Sequence, residues 1–424
     1  MEFSAPDAVD KIFTAWSASQ GYQHPLMDGI IVDEFGGGDG IEYDVYRQVV
    51  ERLNAAFKPK IYMPYGGRFY RGDRSTKFAQ AALDGGGYVC PEYYLIEQPS
   101  KSQAEQFIYD SLVSDMLRWE QGMPGVIPRV LVVLGYMSQP TESLNVNPSA
   151  NFKVCMDVQM RALATHPSCF GLGGLQWYHS SYCDEENVRW AGRLYRHYAI
   201  EGNTQPLTND PYILTHLRNP DFAAGVKGWT IAAAEPSSVT AGAHAGYSWL
   251  QGRYPRTNLG DTFLLMKRCA NKPNVFSQEI RDLTPGRLYS LKMITADHQD
   301  LVQEKSDKKP NAVSIRLDNV ELSTDPKQNF QFTPRGRSIA GATRPGDGRF
   351  RCHPPGHQTG RQSPPARRIR RVAENSTGTR SVPARPVWRP RPQRYSCPPA
   401  ATPGFRSRAA QGFGPDAAQP GHPG

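Results

Sequence analysis

The chain has 424 residues and a formal net charge of +9, yet residues 334–424 hold 17 Arg, no Lys, 16 Pro and only three acids, a net +14. The difference leaves residues 1–333 at −5, so the basic balance belongs to the tail and does not mark the rest as nucleic-acid-binding. No stretch approaches the roughly 20 apolar residues that span a bilayer, so no helical membrane span is expected.

In chain order, residues 6–19 read as an amphipathic helix, interrupted by Asp7, Asp10 and Lys11 where a leader peptide would be apolar. No export signal is visible, which points to the cytosol for a chain complete at this end. An apolar run at 29–35 (GIIVDEF) is a buried strand ending in two acids. Val45, Val49, Val50, Leu53 and Phe57 then recur at helical spacing over 41–57. A second strand is expected at 60–65 (KIYMPY), with a helix near 74–84, and a third at 86–94 (GGYVCPEYY), with a helix over 101–119. The fourth, 129–136 (RVLVVLGY), precedes a helix near 150–165. The fifth, 169–178 (CFGLGGLQWY), precedes a helix over 184–200 with Asp184 as N-cap. GGGDG at 36–40 suggests a phosphate loop, but no GKS or GKT follows, and nucleotide binding there is dismissed. The seven cysteines have neither CxxC nor Cys/His ligand spacing and read as free or buried thiols.

Strands alternating with helices specify a parallel sheet. Five βα units cannot close an eight-stranded barrel, and a sheet left open exposes strand edges. GIIVDEF, CPEYY and LQWYHSS resemble the active-site strand ends of retaining glycoside hydrolase (β/α)8 barrels, over about residues 25–200. The resemblance implies that residues 1–205 are the C-terminal part of such a TIM-type barrel, strands four to eight. It also implies intact relatives that are secreted or periplasmic, and little or no activity for this chain as written.

In such barrels the C-terminal strand ends converge on one mouth. Glycoside hydrolysis uses two carboxyls there, one protonated and one ionised. Glu34 is the expected general acid and Glu92 its partner, with no metal or cofactor. Asp33, Tyr65, Arg68, Tyr94, Tyr136, Gln176, Trp177 and His179 occupy or follow strand ends, where aromatics stack on sugars and polar groups hold hydroxyls. Against this, the Asp33–Glu34 pair at a strand end also suits a helix cap or a pairing with Arg68. The family nucleophile ends the seventh strand, here RVLVVLGYMSQ, which has no acid. A non-catalytic carbohydrate-binding protein on the same scaffold is the alternative.

Residues 206–333 change to β-type patterning, with Pro285-Gly286 as a turn between alternating runs. NPDF…GVKGW, the SQEI strand and L-x-PG-x-x-Y resemble galactose-binding-like β-sandwiches of jelly-roll type, here incomplete. Phe222, Trp229 and Tyr289 are expected in its core; Tyr247, Trp249 and Tyr254 are candidates for sugar contact. Residues 334–424, rich in Arg and Pro without apolar periodicity, are expected to lack regular structure. Their abrupt onset reads as a frameshift, the alternative being a basic arm for RNA or another polyanion. Without RGG repeats or spaced aromatics, no specific nucleic-acid partner is expected; carbohydrate is, and the oligomeric state stays open.

Overall fold

The alternation of apolar runs and amphipathic stretches folds into five βα units. The computed structural model describes residues 3–138, 143–178, 183–244, 261–291, 293, 297–303, 315–322 and 348–352, all within the unit Met1–Gln358. Helix α1 (Ala8–Ser17) and a turn at Gln20–Gln23 lead into β1 (Gly29–Phe35). Then come α2 (Glu42–Ala56), β2 (Ile61–Gly66), α3 (Asp73–Asp84) and β3 (Cys90–Tyr93). Helices α4 (Lys101–Ile108) and α5 (Ser114–Gly122), joined by a π-turn at Tyr109–Val113, precede β4 (Leu131–Gly135). Helix α6 (Phe152–Thr165), β5 (Gly174–Tyr178) and α7 (Glu185–Tyr195) complete the series. The Asp184 side chain caps α7, accepting from the Asn187 N–H at 2.8 Å, as its position predicts.

All five strands are parallel and lie in chain order, β1-β2-β3-β4-β5, in one sheet. Each coincides with an expected segment. The third is shorter than 86–94 because Gly86, at φ +86°, still belongs to the preceding turn. The helices that connect these sequential parallel neighbours pack on one face. There Val49, Val50 and Leu53 of α2, Phe78 and Ala82 of α3, Trp119 of α5 and Met160 of α6 join Tyr62, Val130, Val132 and Leu134 in one core. The opposite face carries a small separate cluster, Tyr65, Cys90 and Val133, with Met63, Leu131 and Tyr178 against it.

That second face is concave. Strands β2 and β5 are three spacings apart, about 14 Å along the sheet. Yet the rings of Tyr65 and Tyr178 approach to 6.1 Å. Strands β1 and β5 pair on one side only among the described residues, and Ile31 on β1 is 50 % exposed. The structure is thus an open, curled α/β layer. Backbones at the β1–β2 seam run so close that a Cβ on Gly29, at φ +151°, would lie 1.8 Å from the Ile61 carbonyl oxygen.

Buried Asp157 on α6 ties down the chain leaving the layer. It accepts from the Tyr198 hydroxyl at 2.6 Å and from the Leu207 and Thr208 N–H groups at 3.1 Å. Asp157→Ala would strand three donors, so we expect a loss of about 3 kcal/mol in urea unfolding. A loss below about 1 kcal/mol would show that water replaces the carboxylate.

Beyond residue 213 the described strands form small antiparallel sheets. Strand β6 (Thr230–Ala232) pairs with β9 (Val275–Ser277), and β7 (Val239–Ala243) with β8 (Thr262–Met266). Strand β12 (Gly348–Cys352) lies between β10 (Leu288–Leu291) and β11 (Val320–Leu322). NPDF…GVKGW closes into one loop, with Asn219 at φ +51° donating to the carbonyls of Gly225 and Lys227, and the Trp229 indole donating to the Asn219 carbonyl. Phe222, Trp229 and Phe276 pack ring against ring.

The expectation of core positions needs correcting: Phe222, Trp229 and Tyr289 are half-buried, and among the described residues no apolar side chain after Tyr212 is fully buried. Strand β12 falls in the stretch expected to lack regular structure; the rest of 334–424, and Tyr247, Trp249 and Tyr254, lie outside the described residues. Among the described residues, cysteines 90, 155, 169 and 269 are free thiols, as their spacing suggests. No helix among the described residues is long and apolar enough to cross a membrane.

Candidate functional site

Period-two alternation decides which strand residues reach the concave face. Ile31 and Asp33 of β1, Tyr65 of β2, and Gln176, Trp177 and Tyr178 of β5 line an open cavity of about 420 Å³. Glu92 of β3 pairs in register with Val133 of β4, a member of the concave-face cluster. The Tyr94 hydroxyl donates to Glu92 Oε1, and the Tyr94 ring lies 5.3 Å from that of Tyr178.

The end of β1 is irregular. Val32 pairs with Pro64 and Phe35 with Gly66, so Asp33 and Glu34 together face Tyr65 across a bulge. Glu34 is the extra residue, at φ +71° and exposed. Its N–H donates to Asp33 Oδ1 at 2.7 Å, which fixes the aspartate carboxylate.

Burial pushes the Glu92 carboxyl above its ordinary range. The Tyr94 hydrogen bond and Arg68 oppose this, while the negative charges of Asp33 and Glu34 reinforce it. Tyr65 is raised by burial and then by Glu92, and burial raises the Cys90 thiol to about 12. The Tyr65 hydroxyl is buried and makes no hydrogen bond of normal geometry among the described residues, although the Tyr94 side chain acts on it as a partner. No group of three or more His, Cys, Asp or Glu there is arranged to hold a metal ion.

Of the residues singled out in the sequence, Asp33, Glu92, Tyr65, Tyr94 and Gln176 gather on this face. Trp177 lines the cavity but packs against the helix-side core, with its indole N–H unpartnered among the described residues. Glu34 stands at the rim. Arg68 is committed elsewhere: its Nε donates to Asp115 at 3.1 Å, and its guanidinium lies over the Tyr93 ring. Tyr136 is not brought to the mouth; it is fully buried among the helices, its hydroxyl 3.5 Å from the Met156 carbonyl. It lies one residue beyond β4, where alternation turns it to the helix side. His179 lies outside the described residues. Tyr178 and Asp115 were missed. Alternation from Gln176 would have found Tyr178, whereas nothing local marks Asp115, an acid within a helix.

Comparison with protein families, with characterised proteins and with solved structures finds no match to this chain.

Proposed function

We propose that the layer is the C-terminal part of a (β/α)8 barrel of glycoside hydrolase type, and that its concave face cleaves glycan with paired carboxyls. The observation that carries this is Glu92, held by Tyr94 on a tyrosine-lined face and raised by burial, with the Asp33 and Glu34 charges acting on it. Catalysis by two carboxyls needs such an inequality, one group keeping its proton while another stays ionised. Tyr65 and Tyr178 offer apolar faces and Gln176 an amide for hydroxyls, the composition of a sugar cleft. In this reading the antiparallel region is a galactose-binding-like module beside the barrel.

A second reading, carbohydrate binding without hydrolysis, is favoured by the end of β4, where Gly135 and buried Tyr136 supply no acid. Incubating the full chain with a panel of neutral, amino and acidic polysaccharides separates the two. New reducing ends are expected under the first reading; retardation in glycan-containing gels without cleavage supports the second. Neither effect on any polysaccharide would sink both.

A further inference from the structure

We propose that Asp33, rather than Glu34, is the ionised carboxylate that works with Glu92, and that Glu92 is the proton donor. This rests on the glycan-hydrolysis reading above and reverses the roles the local motif suggests. The bulge is the first reason. Both acids are exposed, but the bulge leaves Asp33 in the series with Ile31 that lines the open cavity and makes Glu34, at φ +71°, the extra residue outside that lining. A carboxylate on a bulge's extra residue is re-aimed away from its ladder position.

The second reason is anchoring. Asp33 Oδ1 accepts the Glu34 N–H at 2.7 Å, and its other oxygen has no hydrogen-bond partner among the described residues. The third is independent of the acids. Tyr65, opposite the bulge and only 7 % exposed, lines the same cavity, and apart from Tyr94 its buried hydroxyl has no partner among the described residues, which leaves capacity for a ligand oxygen.

The groups acting on Glu92 are Asp33 and Glu34 from β1, Tyr65 from β2, the Arg68 charge from the loop after it, and Tyr94 just beyond the end of β3. Of the two β1 acids, Asp33 acts on Glu92 more strongly. Strands β1 and β3 are two spacings apart, about 9.6 Å at the backbone. Glu92 passes its proton to the glycosidic oxygen as the C1–O bond breaks, and that oxygen keeps the bonding pair. Asp33 takes a proton from the water whose oxygen bonds to C1, a single displacement that inverts the anomeric carbon, unlike the retaining barrels that the strand ends resemble. One water is consumed, Asp33 ends neutral and Glu92 ionised, and exchange with solvent restores both.

The test compares Asp33→Asn, Glu34→Gln and Glu92→Gln in the full 424-residue chain, on whichever polysaccharide of the panel it cleaves, with thermal melts as the folding control. Asp33→Asn and Glu92→Gln are each expected to lower kcat at least 100-fold, and Glu34→Gln less than 10-fold. A large loss in Glu34→Gln with a small one in Asp33→Asn overturns the inference and leaves the hydrolase reading intact. If the parent cleaves nothing, the hydrolase reading fails and with it the catalytic roles proposed here. The pairing is then read from 13C-carboxyl titration: Asp33→Asn should lower the Glu92 midpoint more than Glu34→Gln does, and the reverse order overturns the pairing as well.

Discussion

Glu92→Gln is expected to abolish most of any glycan hydrolysis, by about 10²–10⁴-fold, while raising the melting temperature at neutral pH. The two effects share one cause. Burial holds the Glu92 carboxyl above its ordinary value, so the folded protein binds that proton more tightly than the unfolded chain does. The stabilisation from Glu92 is therefore fully present below the unfolded value, about 4.3. It is lost as pH rises through the higher folded value. Glutamine cannot ionise and keeps an oxygen to accept from the Tyr94 hydroxyl. The variant should melt with its parent near pH 4 and above it at pH 7. The same sign governs turnover, since a donor must be protonated and the rate should fall on the alkaline side of the Glu92 midpoint. A variant less stable than its parent at every pH would show that the carboxylate is a structural acceptor, ionised and needed as such.

Asp115→Ala is expected to be the most damaging of these changes to the fold. The Asp115 side chain, 2 % exposed, accepts from Arg68 Nε at 3.1 Å, from the Tyr93 hydroxyl at 2.6 Å and from the Tyr70 hydroxyl. These partners come from β3 and from the segment after β2, so one helical carboxylate clamps two strand ends to the helix layer. Its removal leaves a part-buried guanidinium without a counter-ion and a buried phenol without an acceptor, worth about 3–5 kcal/mol. For a folded unit of this size that is roughly a 10 °C fall in melting temperature. Asp115→Asn, which keeps an oxygen, should fall less. Circular dichroism melts of both variants decide the matter, and equal small losses would mean that Arg68 and the tyrosines find water instead.

Much of this was legible in the sequence because it depends on local period. The five strands and the helices between them were visible because an apolar run of strand length and a 3.6-residue stripe are encoded within a dozen neighbouring residues. Alternation also carried Asp33, Tyr65, Glu92 and Gln176 to one face, and Asp184 was readable as a cap because capping spans four residues. Tertiary structure decided what depends on distant partners. The bulge at Asp33–Glu34 exists only in the pairing of β1 with β2, and it sets the more conspicuous glutamate at the rim. Arg68 is held by an acid 47 residues away. Curvature brings Tyr65 and Tyr178 together across three strand spacings. No local pattern encodes that meeting, since it arises from the twist and packing of the whole layer.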